Sequence, residues 1–237
     1  MTKRQFRIPP TLPPNEPSPI RHPVLWVHSD DNVTPEVAAA RRATLATRRL
    51  IAAIVNSAAP AADLESAADA LEELADLLEP NARTSRYAGT AGVQLGGGDN
   101  SAILESHPMM GPSSPMAPPI SLTRDGEGAH ATVVYGHQYE GPPGRVHGGF
   151  IAAAFDQVLG AAAALSGRVF FTGTLTVKYR EPTPLHVPIQ MEGEIESMRP
   201  RTIRVTGRML VDGEVTAEAE AVMVTVPDDT FHGANSE

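Results

Sequence analysis

Two spacings of apolar residues divide the chain. Between 34 and 80 they return every three or four positions, and beyond 118 they alternate or run together. Thr34-Pro35 reads as an N-cap followed by proline at the first helical position. A helix from there to about 57 carries Val37, Leu45, Ile51, Ile54 and Val55 as its apolar side. Pro60 ends that stretch. Over 61–78, Leu64, Ala68, Leu71, Leu74, Ala75 and Leu78 form a second helical stripe. The polar faces carry opposite charge: Arg41, Arg42, Arg48 and Arg49 on the first, Asp63, Glu65, Asp69, Glu72, Glu73, Asp76 and Glu79 on the second. The pattern predicts a helical hairpin over 34–80, docked on the body, with charge pairing a minor aid to stability. Farther on, strands are predicted at 119–123 and 129–136 around the turn Arg124-Asp125-Gly126-Glu127-Gly128, then at 174–179, 187–198, 202–211 and 214–226. The last two join across Asp212-Gly213. Between the second and third strands lies an alanine-rich helix at 148–165. One helix inside an antiparallel series predicts an α+β fold, with a sheet wrapped around a long central helix.

The remaining segments change this picture little. Residues 1–33 are rich in proline and read as an extended arm, with Trp26 as its anchor on the body. The stretch 81–117, containing Gly96-Gly97-Gly98, reads as a linker loop, and loops this long are functional, mobile or wrapped over another surface. The body is expected at 118–227 and a flexible tail at 228–237. The 237 residues are 41% hydrophobic and 20% charged, enough for a sizeable core. A formal net charge of −9 argues against nucleic acid as a partner. Cysteine is absent, which excludes disulfides, thiolate metal sites and a cysteine nucleophile. The basic N-terminus lacks the apolar stretch of a secretory signal. The run 148–165 has the length of a membrane span, but Asp156 and its alanine and glycine content favour a buried helix. The expectation is a soluble cytoplasmic protein with no membrane partner.

Candidate chemistry concentrates at 145–160. A carboxylate in so apolar a helix is costly to bury unless something uses or pairs it, which singles out Asp156. Upstream, Gly148 and Gly149 let backbone N–H groups approach a ligand where the helix dipole favours negative charge. The segment thus offers an oxyanion site and, about two turns on, a carboxylate able to act as base or nucleophile. A buried arginine pairing with Asp156 is the competing structural role. The eight histidines lack metal-ligand spacing, so no metal is expected. With no Gly-x-Ser-x-Gly elbow and no phosphate-binding glycine loop ending in Lys-Ser/Thr, no cofactor is expected either.

Three features in register carry a resemblance. Asp156 lies nine residues after His147 of His147-Gly148-Gly149. Thr172 stands shortly before Leu175-Thr176-Val177-Lys178-Tyr179-Arg180-Glu181-Pro182. Tyr139-Glu140-Gly141-Pro142-Pro143-Gly144-Arg145-Val146 precedes the histidine. With the order of elements, about 100–227 resembles the hotdog fold, and within it the His-Gly-Gly acyl-CoA thioesterases of the 4-hydroxybenzoyl-CoA thioesterase superfamily, in their phenylacetate-type and human acyl-CoA thioesterase branches. The resemblance implies hydrolysis of acyl-CoA to free acid and CoA. It implies that the Gly149 N–H, helped by Gly148, binds the carbonyl oxygen, and that Asp156 is general base or nucleophile. It also implies a homodimer, or a tetramer of dimers, in which Asp156 serves the partner's loop and Thr172 holds the carboxylate or the water. His147 either fixes the loop by hydrogen bonds or contacts the thioester, and Thr172 is otherwise a plain strand residue. The chain departs from the phenylacetate-type pattern at Gly141, where that branch has an amide side chain. Arg168, Lys178, Arg180, Arg199, Arg201 and Arg204 are candidates for the CoA phosphates. The extra apolar helix faces tilt the expected substrate toward medium or long acyl chains, with the hairpin and the 81–117 loop as a lid. The alternative is a noncatalytic acyl-CoA sensor with the N-terminal helices as its interaction module. A hotdog dehydratase stands further off, since its Asn-Pro context is missing.

Overall fold

The structure, a computed structural model, describes residues 33–83 and 104–226. Trp26, Gly96-Gly97-Gly98 and the expected tail lie outside the described residues. The body is a six-stranded antiparallel sheet: β1 (Ser121–Arg124), β2 (Ala129–Val133), β3 (Phe170–Tyr179), β4 (Ile189–Arg199), β5 (Thr202–Val211) and β6 (Glu214–Thr225). The spatial order is β1-β2-β4-β5-β6-β3. A long helix, α3 (Gly148–Ala163), lies against one face and is continued by a short turn to Ser166. The hotdog arrangement expected from the sequence is the one found.

Alternation sets which side chains meet the helix. Ile203, Val205 and Met209 of β5, Ile189 and Met191 of β4, and Ala217, Ala219, Ala221 and Met223 of β6 are buried on one face. Against them α3 buries Ile151, Ala154, Phe155, Val158 and Leu159. The helix comes close because the sheet has no side chains beneath it at two points. A Cβ on Gly193 would lie 3.2 Å, and one on Gly207 2.9 Å, from Leu159 Cδ2. By length and composition α3 and its extension could cross a membrane, but in this fold they are the core of the sheet. The hairpins follow their turn chemistry. Asp125 Oδ1 accepts the amides of Glu127 and Gly128, each at 2.8 Å. Between β5 and β6, Asp212 (φ 50°) and Gly213 (φ 85°) supply the two left-handed positions that a two-residue hairpin turn needs.

Strand β3 begins at Phe170, four residues before the predicted start. It is an edge: β6 pairs with one side, and no described strand pairs with the other. At Gly173 the register with β6 slips, Thr172 facing Met223 and Thr174 facing Val222. A Cβ at Gly173 would sit 2.7 Å from Val224 Cγ2, so the bulge suits glycine. The bulge has a consequence for side-chain direction. Leu175, Val177 and Tyr179 share the helix-facing side with Ala221, Ala219 and Ala217. Strict alternation would send Thr172 to the opposite face, and the extra residue returns it to the helix side.

The N-terminal helices form where predicted, α1 over Pro35–Val55 and α2 over Ala61–Leu78. Thr34 caps α1 by accepting the Val37 N–H at 3.3 Å. Their packing differs from the expected docked hairpin. Helix α1 lies on the body through Val37, Thr44 and Ile51, whereas Leu45, Ile54 and Val55 face outward. The four arginines split. Arg41 forms a bidentate pair with Glu105 at 2.8 and 3.0 Å, and Arg48 donates to the carbonyls of Gly111 and Ser114 at 3.1 and 2.8 Å. Arg42 and Arg49, one position on, point outward. Helix α2 makes no extensive contact with α1 or the body among the described residues, and no residue of it is buried. The expected linker also divides. Residues 104–117 lie on the body with Leu104, Met110 and Ala117 buried, and they form the seat for α1.

Candidate active site

The start of α3 is held by local contacts. Glu140 and Val146 form an antiparallel bridge, and the His147 N–H donates to the Tyr139 carbonyl at 2.9 Å. Glu140 Oε1 accepts the Gly144 N–H, and its other oxygen meets His137 Nδ1 at 3.3 Å. These hydrogen bonds, the Gly144 amide foremost, hold the Glu140 carboxyl below its ordinary value of 4.5. Under the loop lies an edge-to-face aromatic cluster: Tyr135 against Tyr139, then Tyr139 against Phe150, with ring centroids 5.3 and 4.8 Å apart.

His147 is the N-cap of α3, and its Nδ1 accepts the Gly149 N–H at 2.9 Å. Of its two possible roles, this geometry carries the loop-fixing one. The Gly149 N–H, expected as the oxyanion donor, is engaged by this cap. The Gly148 N–H has no partner among the described residues. Gly148 is held from its other side, its carbonyl accepting the Tyr179 hydroxyl at 2.8 Å. A Cβ on Gly148 would lie 3.2 Å from that ring. Tyr179 is thus a site residue that sequence reasoning passed over. Its only signal was its place in the Leu-x-Val-x-Tyr strand. The departure at Gly141 also has a physical basis. A Cβ there would stand 2.9 Å from His147 Cα, so this loop has no room for the amide side chain of the phenylacetate-type pattern.

Asp156 and Thr172 come together as expected. The Thr172 hydroxyl donates to Asp156 Oδ1 at 2.9 Å, and Gln157 Nε2 donates to Oδ2 at 3.3 Å. No arginine pairs with Asp156 among the described residues. The carboxylate is part-buried, while Thr172 lies exposed on the open edge strand. Gly148 and Asp156 stand eight residues apart on one helix, about 12 Å along its axis. A single carbonyl carbon cannot reach both halves on one chain.

Of the candidate phosphate-binding cations, three are neutralised on the outer face of the sheet. Lys178 pairs with Glu220 at 2.9 Å, Arg180 with Glu218 at 2.7 Å, and Arg204 with Glu196 and Glu220 at 3.6 and 3.9 Å. Arg199 and Arg201 have no acidic partner among the described residues, and Arg168 Nη1 donates to the Arg199 carbonyl at 2.7 Å. These three gather at the end of the sheet where β3 begins.

The family model described as thioesterase superfamily matches residues 143–220, the stretch holding both halves of the site. Acyl-coenzyme A thioesterase THEM4 of Xenopus laevis is 37% identical over 68 residues, covering 29% of this chain and 31% of that protein. Acyl-coenzyme A thioesterase THEM5 of Homo sapiens is 33% identical over 63 residues, covering 27% of this chain and 26% of that one. The chain therefore spans about a third or less of the curated relatives it matches. A solved structure described as a thioesterase superfamily protein is 32% identical with a TM-score of 0.66, covering 78% of this chain and 94% of its own. On that coverage and identity, joined to the fold and the His147–Asp156 spacing, the chain belongs to the thioesterase superfamily.

Proposed function

We propose that the protein hydrolyses acyl-CoA thioesters to free acid and CoA, at sites each built from two copies of the chain. The observation that carries this reading is Asp156, a carboxylate in an apolar helix held by Thr172 and Gln157 on an unpaired strand edge. Edge-to-edge pairing of β3 with a second copy would continue the sheet and satisfy its open backbone groups. It would also bring the Asp156 of one chain toward the Gly148 loop of the other. There the Gly148 N–H, at the positive end of α3, donates to the thioester oxygen as negative charge develops on it. Asp156 takes a proton from water as the water oxygen bonds to the carbonyl carbon. The carbon–sulfur bond then breaks, and the thiolate leaves as the thiol with the proton that Asp156 took from water, which restores the carboxylate. His147 keeps the loop in shape, and Thr172 keeps the carboxylate aimed.

Arg168, Arg199 and Arg201 are the cations available for the CoA phosphates, since the others are already paired. Medium or long acyl chains remain the proposed substrates. Supporting this, α1 packs on the turn His137–Tyr139, which leads directly into the loop at the active-site mouth. The test is thiol release from a panel of acyl-CoAs of increasing length together with aromatic thioesters. Hydrolysis that vanishes in Asp156→Ala is the expected result. Saturable acyl-CoA binding without release of thiol would favour the sensor instead.

A further inference from the structure

Helix α2 raises a physical problem that the catalytic reading does not address. It is an 18-residue amphipathic helix with Leu64 42%, Leu74 55% and Leu78 67% exposed. An isolated helix of that length is marginal in water, and most helical stability comes from packing an apolar face. Helix α1 has a matching vacancy: Leu45 is 59% exposed in a shallow groove lined by Ala38, Arg42, Ala46 and Arg49.

Charge identifies the fit. Helix α2 contains six carboxylates and no basic residue, whereas α1 contains four arginines and one glutamate. Arg42 and Arg49 have no acidic partner among the described residues, nor do Glu72 and Glu79 a basic one. On a helical projection, Arg42 and Arg49 flank Leu45 on the same rotational side as Glu72 and Glu79 flank Leu71. Flanks on the same side meet when two helices pack antiparallel. Two α2 helices packed together would instead crowd carboxylates on carboxylates.

We propose that α2 packs antiparallel in the α1 groove of a second copy of this chain, with α2 of that copy returning to the first. One twofold axis then covers both exposed stripes. Within one chain α2 makes no extensive contact with α1; a turn at Asn56 and then Pro60, at φ −57° and ψ 152°, lie between them. The proposal is independent of the catalytic reading.

The absence of native cysteine makes the test clean. Full-length chains bearing Leu45→Cys and Leu74→Cys, with different affinity tags, are co-expressed and treated with a short bis-maleimide. The expected product is a covalent two-chain species carrying both tags, absent when Asp69→Cys, on the far side of α2, replaces Leu74→Cys. Arg42→Glu with Arg49→Glu should lower the yield, and Glu72→Arg with Glu79→Arg on the other chain should restore it. Cross-linking confined within single chains, in a variant carrying both Leu45→Cys and Leu74→Cys, would overturn the proposal in favour of a folded-back hairpin. Failure of both pairings would overturn it in favour of a different occupant.

Discussion

The two halves of the candidate site are built in opposite ways. The loop leading into α3 is assembled from neighbours in sequence: the Glu140–Val146 bridge, the His147 cap on Gly149 and the Tyr139 carbonyl. The Asp156–Thr172 pair joins a helix to an edge strand, and it depends on a bulge at Gly173 that turns Thr172 toward the helix. The first half is preorganised by a single chain, whereas the second lies on an edge open to another. About 12 Å separates them along α3. On the shared site proposed above, motif spacing within the helix reports two half-sites rather than one site.

The largest effect should come from the carboxylate. Asp156→Asn keeps the shape and removes the base, and turnover should fall by roughly 10²–10⁴ with the far-ultraviolet spectrum and Tm little changed. The next largest tests the donor. Gly148→Pro deletes that N–H at the first helical position, after a residue already extended at φ −64° and ψ 132°, and is measured against Gly148→Ala, which adds a Cβ 3.2 Å from the Tyr179 ring but keeps the N–H. The proline variant's turnover should fall by about 10²–10³, and wild-type turnover would return the role to another amide. Thr172→Val removes a hydrogen bond to a charged group, worth ~1.5–3 kcal/mol, and should lower kcat by roughly tenfold or more. Replacing Arg199 and Arg201 by Ala should raise KM for CoA esters several-fold and leave that for pantetheine esters, which lack the nucleotide phosphates, unchanged.

The smallest effect concerns pH. The Glu140 carboxyl is depressed in the fold, so its grip on the loop is complete above the ordinary glutamate value of 4.5 and is lost as pH falls through the lower folded value. The Gly144 amide resonance should shift over that acidic window and stay fixed in Glu140→Gln.

How far the molecule was legible follows the same division. Strand alternation placed β5 at 202–211, and the helical stripe placed α2 at 61–78, because each is a local period. The same stripe could not say what covers α2, since an apolar face identifies a surface and not its partner. The four arginines of α1 looked equivalent in sequence, yet Arg41 and Arg48 face the body and Arg42 and Arg49 do not. A seven-residue recurrence separates the pairs, and only the position of the 104–117 segment decides which pair turns inward. At the site, the apolar helix singled out Asp156, the resemblance pointed to Thr172 and His147, and the structure brings Asp156 and Thr172 together. The cap that engages the Gly149 amide was not legible, because the contact from His147 Nδ1 depends on a rotamer that spacing does not encode. Tyr179 needed the strand's path over the helix start before its hydroxyl could be placed on the Gly148 carbonyl.

The central claim is that each site takes its amide from one chain and its carboxylate from another. Mixing Asp156→Asn chains with Gly148→Pro chains, by co-refolding, tests it most directly. Each mixed dimer would then hold one site with both groups intact and one with neither. Recovery of thioesterase activity to about one quarter of wild type is predicted from random pairing across a twofold axis. A mixture no more active than its two inactive components would contradict the shared site.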